Sequence, residues 1–144
     1  MRGYSAVGLY YPKNNWNIGG VLRAADCFGA SMVAISGKRF RKACTDVSKS
    51  WKHIPLLETE DLKNVIPYGC VPVAIEITDN ARCISNYVHP ESAFYIFGPE
   101  DGSIGGKVLD FCRDVVKIPS SMCLNLASCV NVVLYDRAVK QLRK

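Results

Sequence analysis

Residues 114–136, DVVKIPSSMCLNLASCVNVVLYD, predict a buried strand, a tight polar turn and a buried helix in immediate succession. The apolar run at residues 115–118 has the length and the β-branched content of a buried strand. Pro119 ends this run because proline has no N–H to donate to a β-ladder. The run at residues 124–135 is interrupted by only three polar residues, which predicts a helix that is apolar nearly all round. Taken alone, the stretch fits the last strand–helix unit of any sheet protein, but ligands of open α/β sheets bind beyond such strands.

Strands and helices alternate along the rest of the chain. Further strands are predicted at residues 5–11, 32–36, 53–57, 71–77 and 94–97. Helices are predicted at residues 18–28, 43–52, 58–65 and 107–113, with Asn17 and Thr59 as N-caps of the first and third. The polar segment 78–90 shows neither pattern. The alternation predicts an α/β fold with a mainly parallel sheet flanked by helices.

Length and composition indicate a globular chain without a membrane span. With 144 residues the chain can bury a core as one domain, residues 1–144, without metal or disulfide cross-links. It contains no apolar run near the roughly 18 residues of a transmembrane helix, and its first residues lack a secretory signal. The seven cysteines are scattered and never spaced as CxxC. They predict reduced thiols in the cytoplasm rather than disulfides or a metal site.

Arg23 lies opposite the apolar stripe of its predicted helix. Two interpretations remain open at this point: a solvated helix arginine, or a guanidinium that holds a phosphate through paired N–H donors. Asn17 and the glycine pair at residues 19–20 precede Arg23 on the same helix. The glycines would let a ligand approach the backbone closely.

The loop FGPEDG at residues 97–102 follows a predicted strand. It is either a plain strand-to-helix connection or a turn whose backbone groups bind a ligand, with Glu100 as an acceptor. The loop contains no GxGxxG pattern, and the later Gly106-Lys107 pair lacks the remaining residues of a Walker loop. Nicotinamide and nucleoside-triphosphate sites are therefore weakly supported.

A basic run at residues 38–42 places four cations, Lys38, Arg39, Arg41 and Lys42, around Phe40. Such a run is either a solvated loop or a nucleic-acid contact, in which cations bind the backbone and an aromatic ring stacks on a base. The net charge of +5 permits a nucleic-acid partner without demonstrating one.

Three stretches together resemble the motifs of the SpoU/TrmH branch of the SPOUT RNA methyltransferases, in the same order and at similar spacing. They are NIGGVLRAADCFGA at residues 17–30, FGPEDGSI at residues 97–104 and IPSSMCLNLASCVNVVLYD at residues 118–136. The resemblance implies an α/β domain with a C-terminal deep trefoil knot, S-adenosyl-L-methionine as cofactor, and a homodimer. It also implies methylation of a ribose 2′-hydroxyl in transfer or ribosomal RNA, as in the minimal, TrmL-like members.

The resemblance assigns roles to individual residues. Asn17, Arg23 and Glu100 take positions tied to catalysis. The positions that border the cofactor are Ile75, Glu76, Phe97, Gly98, Glu100, Ile118, Cys123, Leu124 and Asn125. The positions expected to contact RNA are Arg23, Lys38, Arg39, Arg41, Lys42 and Tyr135. Similar proteins usually have serine where Cys123 stands, and only three residues separate Pro119 from Cys123.

Competing functions remain open from the sequence. One is a non-catalytic RNA-binding relative, since the loop before Cys123 is short. Another is base methylation within the same superfamily. A third is an unrelated nucleotide-binding α/β protein.

Overall fold

A computed structural model describes residues 3–37 and 52–143. The predicted basic run, Lys38, Arg39, Arg41 and Lys42, lies outside the described residues, as does nearly all of the helix predicted at residues 43–52. The described strands are β1 (Tyr4–Tyr10), β2 (Met32–Ser36), β3 (Leu56–Thr59), β4 (Val71–Ile75), β5 (Arg82–Cys83), β6 (Ser92–Phe97) and β7 (Asp114–Lys117). The described α-helices are α1 (Asn15–Cys27), α2 (Gly106–Phe111) and α3 (Leu126–Leu142).

The seven described strands form one sheet in the order β3-β2-β1-β6-β4-β7-β5, and every pairing between them is parallel. The predicted α/β class with a mainly parallel sheet is confirmed. Because all strands run the same way, their carboxyl ends meet along one edge, which is where ligands of such sheets bind.

The sheet is buried on both faces, as parallel strands usually are. In β6, Tyr95 and Phe97 pack with α1 and α3, whereas Phe94 and Ile96 pack on the opposite face with α2 and a short 3₁₀ turn at Leu62–Val65. All four side chains are at most 1% exposed. The continuous apolar runs of the sequence therefore correspond to strands covered on both sides.

Helices α1 and α3 pack closely on one face of the sheet. A Cβ atom at Gly20 would lie 2.8 Å from the Cβ of Ala127, so only glycine allows this approach. The sequence suggested that the glycines of α1 admit a ligand; at Gly20 they admit the neighbouring helix.

Three predicted boundaries are wrong for local reasons. Asn14, not Asn17, caps α1, because its side chain accepts the Trp16 N–H at 2.9 Å. The helix predicted at residues 58–65 is instead the end of β3 followed by the 3₁₀ turn, which Asp61 caps in place of Thr59. The strand predicted at residues 53–57 is instead β3 at residues 56–59, whose backbone pairs with β2.

Two further elements differ from the sequence-based prediction. The polar segment 78–90 contains β5, whose two residues pair with the end of β7. Helix α3 continues past Tyr135 to Leu142, with Asn125 as its N-cap. Within the described residues, no helix is both long and apolar enough to cross a membrane.

Candidate active site

A cleft opens at the carboxyl ends of β4, β6 and β7 and reaches the first turn of α3. Eight of the nine residues predicted to border a cofactor line it: Ile75, Glu76, Phe97, Gly98, Glu100, Ile118, Cys123 and Leu124. The ninth, Asn125, lines an adjoining groove together with Glu100, Cys123 and Leu124. The structure therefore brings together residues from four separate parts of the chain.

The loops after β4 and β6 are joined by the carboxylate of Glu76. One oxygen accepts the N–H of Ile77 and the other accepts the N–H of Ile104, each at 3.0 Å. Ile104 is fully buried and packs closely on Gly98. A Cβ atom added at Gly98 would lie 3.0 Å from Cγ1 of Ile104. Glu76 thus shapes the cleft wall through backbone groups.

A chain of hydrogen bonds links the three motif segments where the cleft meets the groove. The Asn17 side chain donates to Glu100 Oε1 at 2.8 Å, and the Asn125 side chain donates to Asn17 Oδ1 at 2.8 Å. Asn125 Oδ1 also accepts N–H groups from the first turn of α3. The Glu100 carboxylate in addition accepts the backbone N–H groups of Lys13 at 2.8 Å and Asn14 at 3.2 Å.

Glu100 is held as a carboxylate. Burial raises the pKa of Glu100, but hydrogen bonds from the Asn17 side chain and from the backbone N–H groups of Lys13, Glu100 and Asn14 outweigh it and lower the pKa below the usual value. Since both oxygens accept hydrogen bonds from the protein, Glu100 positions α1 and Asn17. It is poorly suited to accept a proton from a substrate.

Arg23 lies on the exposed face of α1 and does not line the cleft or the groove. No hydrogen bond or ion pair joins its guanidinium to the residues the structure describes, so its N–H donors face solvent. Arg23 is six residues after Asn17, about 9 Å along the helix axis. The guanidinium can bind an anion that arrives from outside the chain.

Tyr135 is on the outer face of α3, 59% exposed, with its ring edge-on to Phe28 at a centroid distance of 6.2 Å. The structure does not place it in the cleft. Val132, one turn earlier, is 37% exposed. This part of α3 presents an apolar surface beside α1.

The sequence did not single out several residues of the site. Cys129, in the first turn of α3, lines the cleft, and burial raises the pKa of its thiol to about 12, with smaller contributions from Glu76 and Cys123. Lys13 and Trp16 line the groove. Their position in the sequence close to Asn17, the asparagine of the first motif, is the signal that could have indicated them.

The chemistry of the lining suits S-adenosylmethionine. The apolar side chains of Ile75, Ile118 and Leu126 can cover a purine, and loop backbone groups offer polar contacts. The ionised Glu100 at the junction favours a nearby sulfonium cation. Among the described residues, no cluster of His, Cys, Asp and Glu side chains is arranged to hold a metal ion.

The sequence profile of the SpoU rRNA Methylase family matches residues 5–135. The chain belongs to this family. This confirms the resemblance drawn from the three motifs and places the chain among the SpoU/TrmH RNA methyltransferases of the SPOUT superfamily, whose cofactor is S-adenosylmethionine. No curated protein sequence matches the chain.

Solved structures share the fold at low sequence identity. The SpoU methyltransferase AviRb from Streptomyces viridochromogenes, in complex with AdoMet, matches at a TM-score of 0.87 and 18% identity, over 100% of this chain and 63% of AviRb. An AdoMet-bound rRNA methyltransferase from Sinorhizobium meliloti matches at a TM-score of 0.84 and 21% identity, over 99% of this chain and 58% of that protein. A structure described for 2-OH methylation of C/U34 on tRNA matches at a TM-score of 0.80 and 23% identity, over 100% of this chain and 93% of that protein. The chain thus spans less than two thirds of AviRb. The predicted trefoil knot stays a prediction.

Proposed function

We propose that the protein is an S-adenosylmethionine-dependent methyltransferase of ribose 2′-hydroxyls in tRNA. The observation that carries this proposal is the Glu100–Asn17–Asn125 chain, which joins all three motifs at the junction of cleft and groove. The choice of tRNA is supported by the relative described for C/U34 of tRNA, since this chain spans 93% of it. We therefore propose the wobble nucleotide of the anticodon as the target.

The cofactor occupies the cleft in this proposal. Ile118, Leu124 and Ile75 would border its adenosyl group, and the backbone of Gly98 and Glu100 would hold its polar edge. When bound, S-adenosylmethionine supplies a methyl group on a sulfonium, with a neutral thioether as leaving group. The chain must then hold the ribose 2′-oxygen in line with that methyl, and positioning of this kind lowers a barrier by roughly 7–11 kcal/mol at best.

Arg23 is proposed to bind the RNA phosphate, since its guanidinium is exposed and lies outside the cleft and the groove. A guanidinium is a poor base because it stays protonated in proteins, so the proton of the 2′-hydroxyl passes to phosphate or water. Asn17 and Glu100 act as positioning residues, because their side chains are hydrogen-bonded to one another and to the start of α1.

Assembly and RNA contacts involve residues outside the cleft. The basic residues are proposed to bind the RNA backbone: Lys38, Arg39, Arg41 and Lys42. Tyr135 and Val132, exposed on α3, support a homodimer, and Tyr135 is also proposed to contact RNA near this interface. We propose a cytoplasmic location, since the cysteines of the described residues are free.

Calorimetry with S-adenosylmethionine, followed by incubation with tRNA and mass spectrometry of the nucleosides, tests the function. We expect saturable binding and a 2′-O-methylated nucleoside. Absence of cofactor binding by the folded protein would favour a non-catalytic RNA-binding relative, and a methyl group on the base would overturn the ribose assignment.

Arg23→Ala tests the division of labour within the site. Because Arg23 lies outside the cleft, we expect turnover to be lost while cofactor affinity stays within about twofold of the original value, which is under about 0.5 kcal/mol. Calorimetry and the methylation assay measure the two quantities separately. Loss of cofactor binding in this variant would contradict the assigned role.

A further inference from the structure

Trp16 is exposed to an unusual degree for its residue type. It is 71% exposed, whereas tryptophan is highly buried on average because its large apolar surface is costly to leave in water. Its indole ring forms no hydrogen bond or aromatic contact with the residues that the structure describes. A rigid aromatic surface is therefore left open beside the proposed active site.

The position of Trp16 is well defined. It lies in the first turn of α1, and its backbone N–H donates to the capping Asn14 side chain at 2.9 Å. The next residue, Asn17, belongs to the hydrogen-bonded chain with Glu100. The helix start is thus fixed from both sides, so Trp16 projects from a rigid base rather than from a loose loop.

Trp16 lines the groove that adjoins the cofactor cleft. Glu100, Cys123 and Leu124 line both spaces, so the groove adjoins the cleft. Lys13, on the same rim, adds a cation whose ammonium also lies 3.8 Å from a carboxylate oxygen of Asp101. A nucleotide whose ribose reaches the junction would have its base in this groove.

Arg23 lies on the same helix face as Trp16. A separation of seven residues corresponds to about 10 Å along the axis and about 20° around it. A guanidinium for a phosphate and an indole for a base are thus presented on one side of α1. Cationic groups combined with stacking aromatic rings are typical of single-stranded nucleic-acid sites.

We propose that Trp16 is the stacking platform for the base of the nucleotide that is methylated. This inference rests on the proposed function and extends it to the recognition of a single-stranded nucleotide. Stacking on an indole is tolerant of base identity because every base has a π-face. The contact would therefore orient the nucleotide rather than select its base.

The test compares Trp16→Ala with the original protein in binding two RNA probes by fluorescence anisotropy. One probe is a fluorescein-labelled anticodon stem–loop with uridine at the wobble position, and the other has an abasic ribose there. We expect Trp16→Ala to weaken binding of the first probe by at least about fivefold. The abasic probe should bind both proteins equally weakly, because the base that stacks is missing.

Four controls accompany this comparison. Tyr68→Ala removes an aromatic ring that is fully exposed, at 107%, just before β4 at the amino end of the sheet, and should change the affinity for neither probe. Trp16→Phe should retain most of the binding. Light scattering should give Trp16→Ala the same mass as the original protein, and calorimetry the same cofactor affinity.

The opposing results are distinct. An equal loss of affinity for both probes would show that Trp16 contacts another part of the RNA. A lower mass of Trp16→Ala would show that Trp16 contacts a second copy of the chain. Either result overturns the proposal, as does failure of the original protein to bind the stem–loop. Because binding is measured without methyl transfer, a missing methyltransferase activity leaves this result readable by itself.

Discussion

Two polar networks hold α3, one at each end of the sheet, and they differ in burial. At the carboxyl ends, Asn125 joins α3 to Asn17 and Glu100 at the open rim of the cleft. At the amino ends, Arg137 and His89 form a network inside the protein, where their residues are 5% and 6% exposed. The carboxyl-end network borders space that is open to a ligand, whereas the buried network must satisfy its polar groups with partners from the protein itself.

Arg137 is the centre of the amino-end network. Its Nη1 donates to the carbonyl of Pro90 at 2.6 Å and to the Tyr95 hydroxyl at 3.2 Å. Its Nη2 donates to the carbonyls of Glu91 at 2.6 Å and Tyr4 at 3.4 Å. These carbonyls belong to the segments that begin β1 and precede β6, so one side chain fixes α3 to two central strands.

The proton positions in this network follow from Arg137. Because a guanidinium only donates hydrogen bonds, the Tyr95 hydroxyl oxygen accepts from Arg137. The Tyr95 O–H in turn donates a hydrogen bond to His89 Nδ1, at 2.6 Å. His89 then carries its proton on Nε2 and donates to Asp136 at 2.8 Å. Burial lowers the pKa of His89, although the hydrogen bond to Asp136 opposes this. The folded protein therefore holds His89 neutral.

The contrast in burial predicts that the largest loss of stability comes from Arg137→Met. The variant removes the Arg137 donors from three carbonyls and a hydroxyl, of which the Glu91 carbonyl keeps the Tyr4 N–H at 3.1 Å. We therefore expect a loss of about 3–5 kcal/mol in the free energy of unfolding. Urea denaturation measures it. Arg143→Met, at the exposed end of the same helix, is the matched control and should change the value by less than about 0.5 kcal/mol. A loss below about 1 kcal/mol for Arg137→Met would remove the contrast between the networks.

Acidification should weaken the amino-end network next. In the unfolded chain His89 binds a proton near the ordinary histidine pKa of about 6.5, whereas the folded protein binds it only at lower pH because burial depresses the pKa. Stability is thus fully present above about pH 6.5 and falls as the pH drops below it, by at most about 1.4 kcal/mol per pH unit for one proton. Urea titrations at about pH 7 and about pH 5 should show a smaller difference in His89→Gln than in the original protein. Equal differences would mean that carboxylates elsewhere account for the loss.

The smallest effect on stability is expected at the carboxyl-end network. Glu100→Gln replaces one acceptor oxygen by an NH₂ group, which cannot accept the N–H of Lys13 or Asn14, and should cost roughly 1 kcal/mol. We expect turnover to fall at least tenfold because the start of α1 and Asn17 shift. Glu60→Gln, an exposed carboxylate elsewhere, serves as the control for both readouts. Unchanged turnover would show that Glu100 has no positioning role.

Elements with strong local patterns could be predicted from the amino-acid sequence without any tertiary information. Apolar runs of strand length predicted β1, β2, β6 and β7, because strands covered on both faces have no polar alternation. The helical repeat predicted α1 and α3. The motif resemblance, rather than these patterns, assigned Ile75, Phe97 and Ile118 to a cofactor site, and the structure places all three in one cleft.

Contacts between distant segments depend on the tertiary structure and could not be predicted in this way. Asn17 meets Glu100 and Asn125 across 83 and 108 residues, and this depends on a strand order that places β6 beside β1. β5 forms in a polar segment because β7 offers it a free ladder edge. Trp16 and Arg137 have no local pattern that distinguishes an exposed side chain from a buried one. Burial is set by what packs against a residue, and local periodicity does not specify that neighbour.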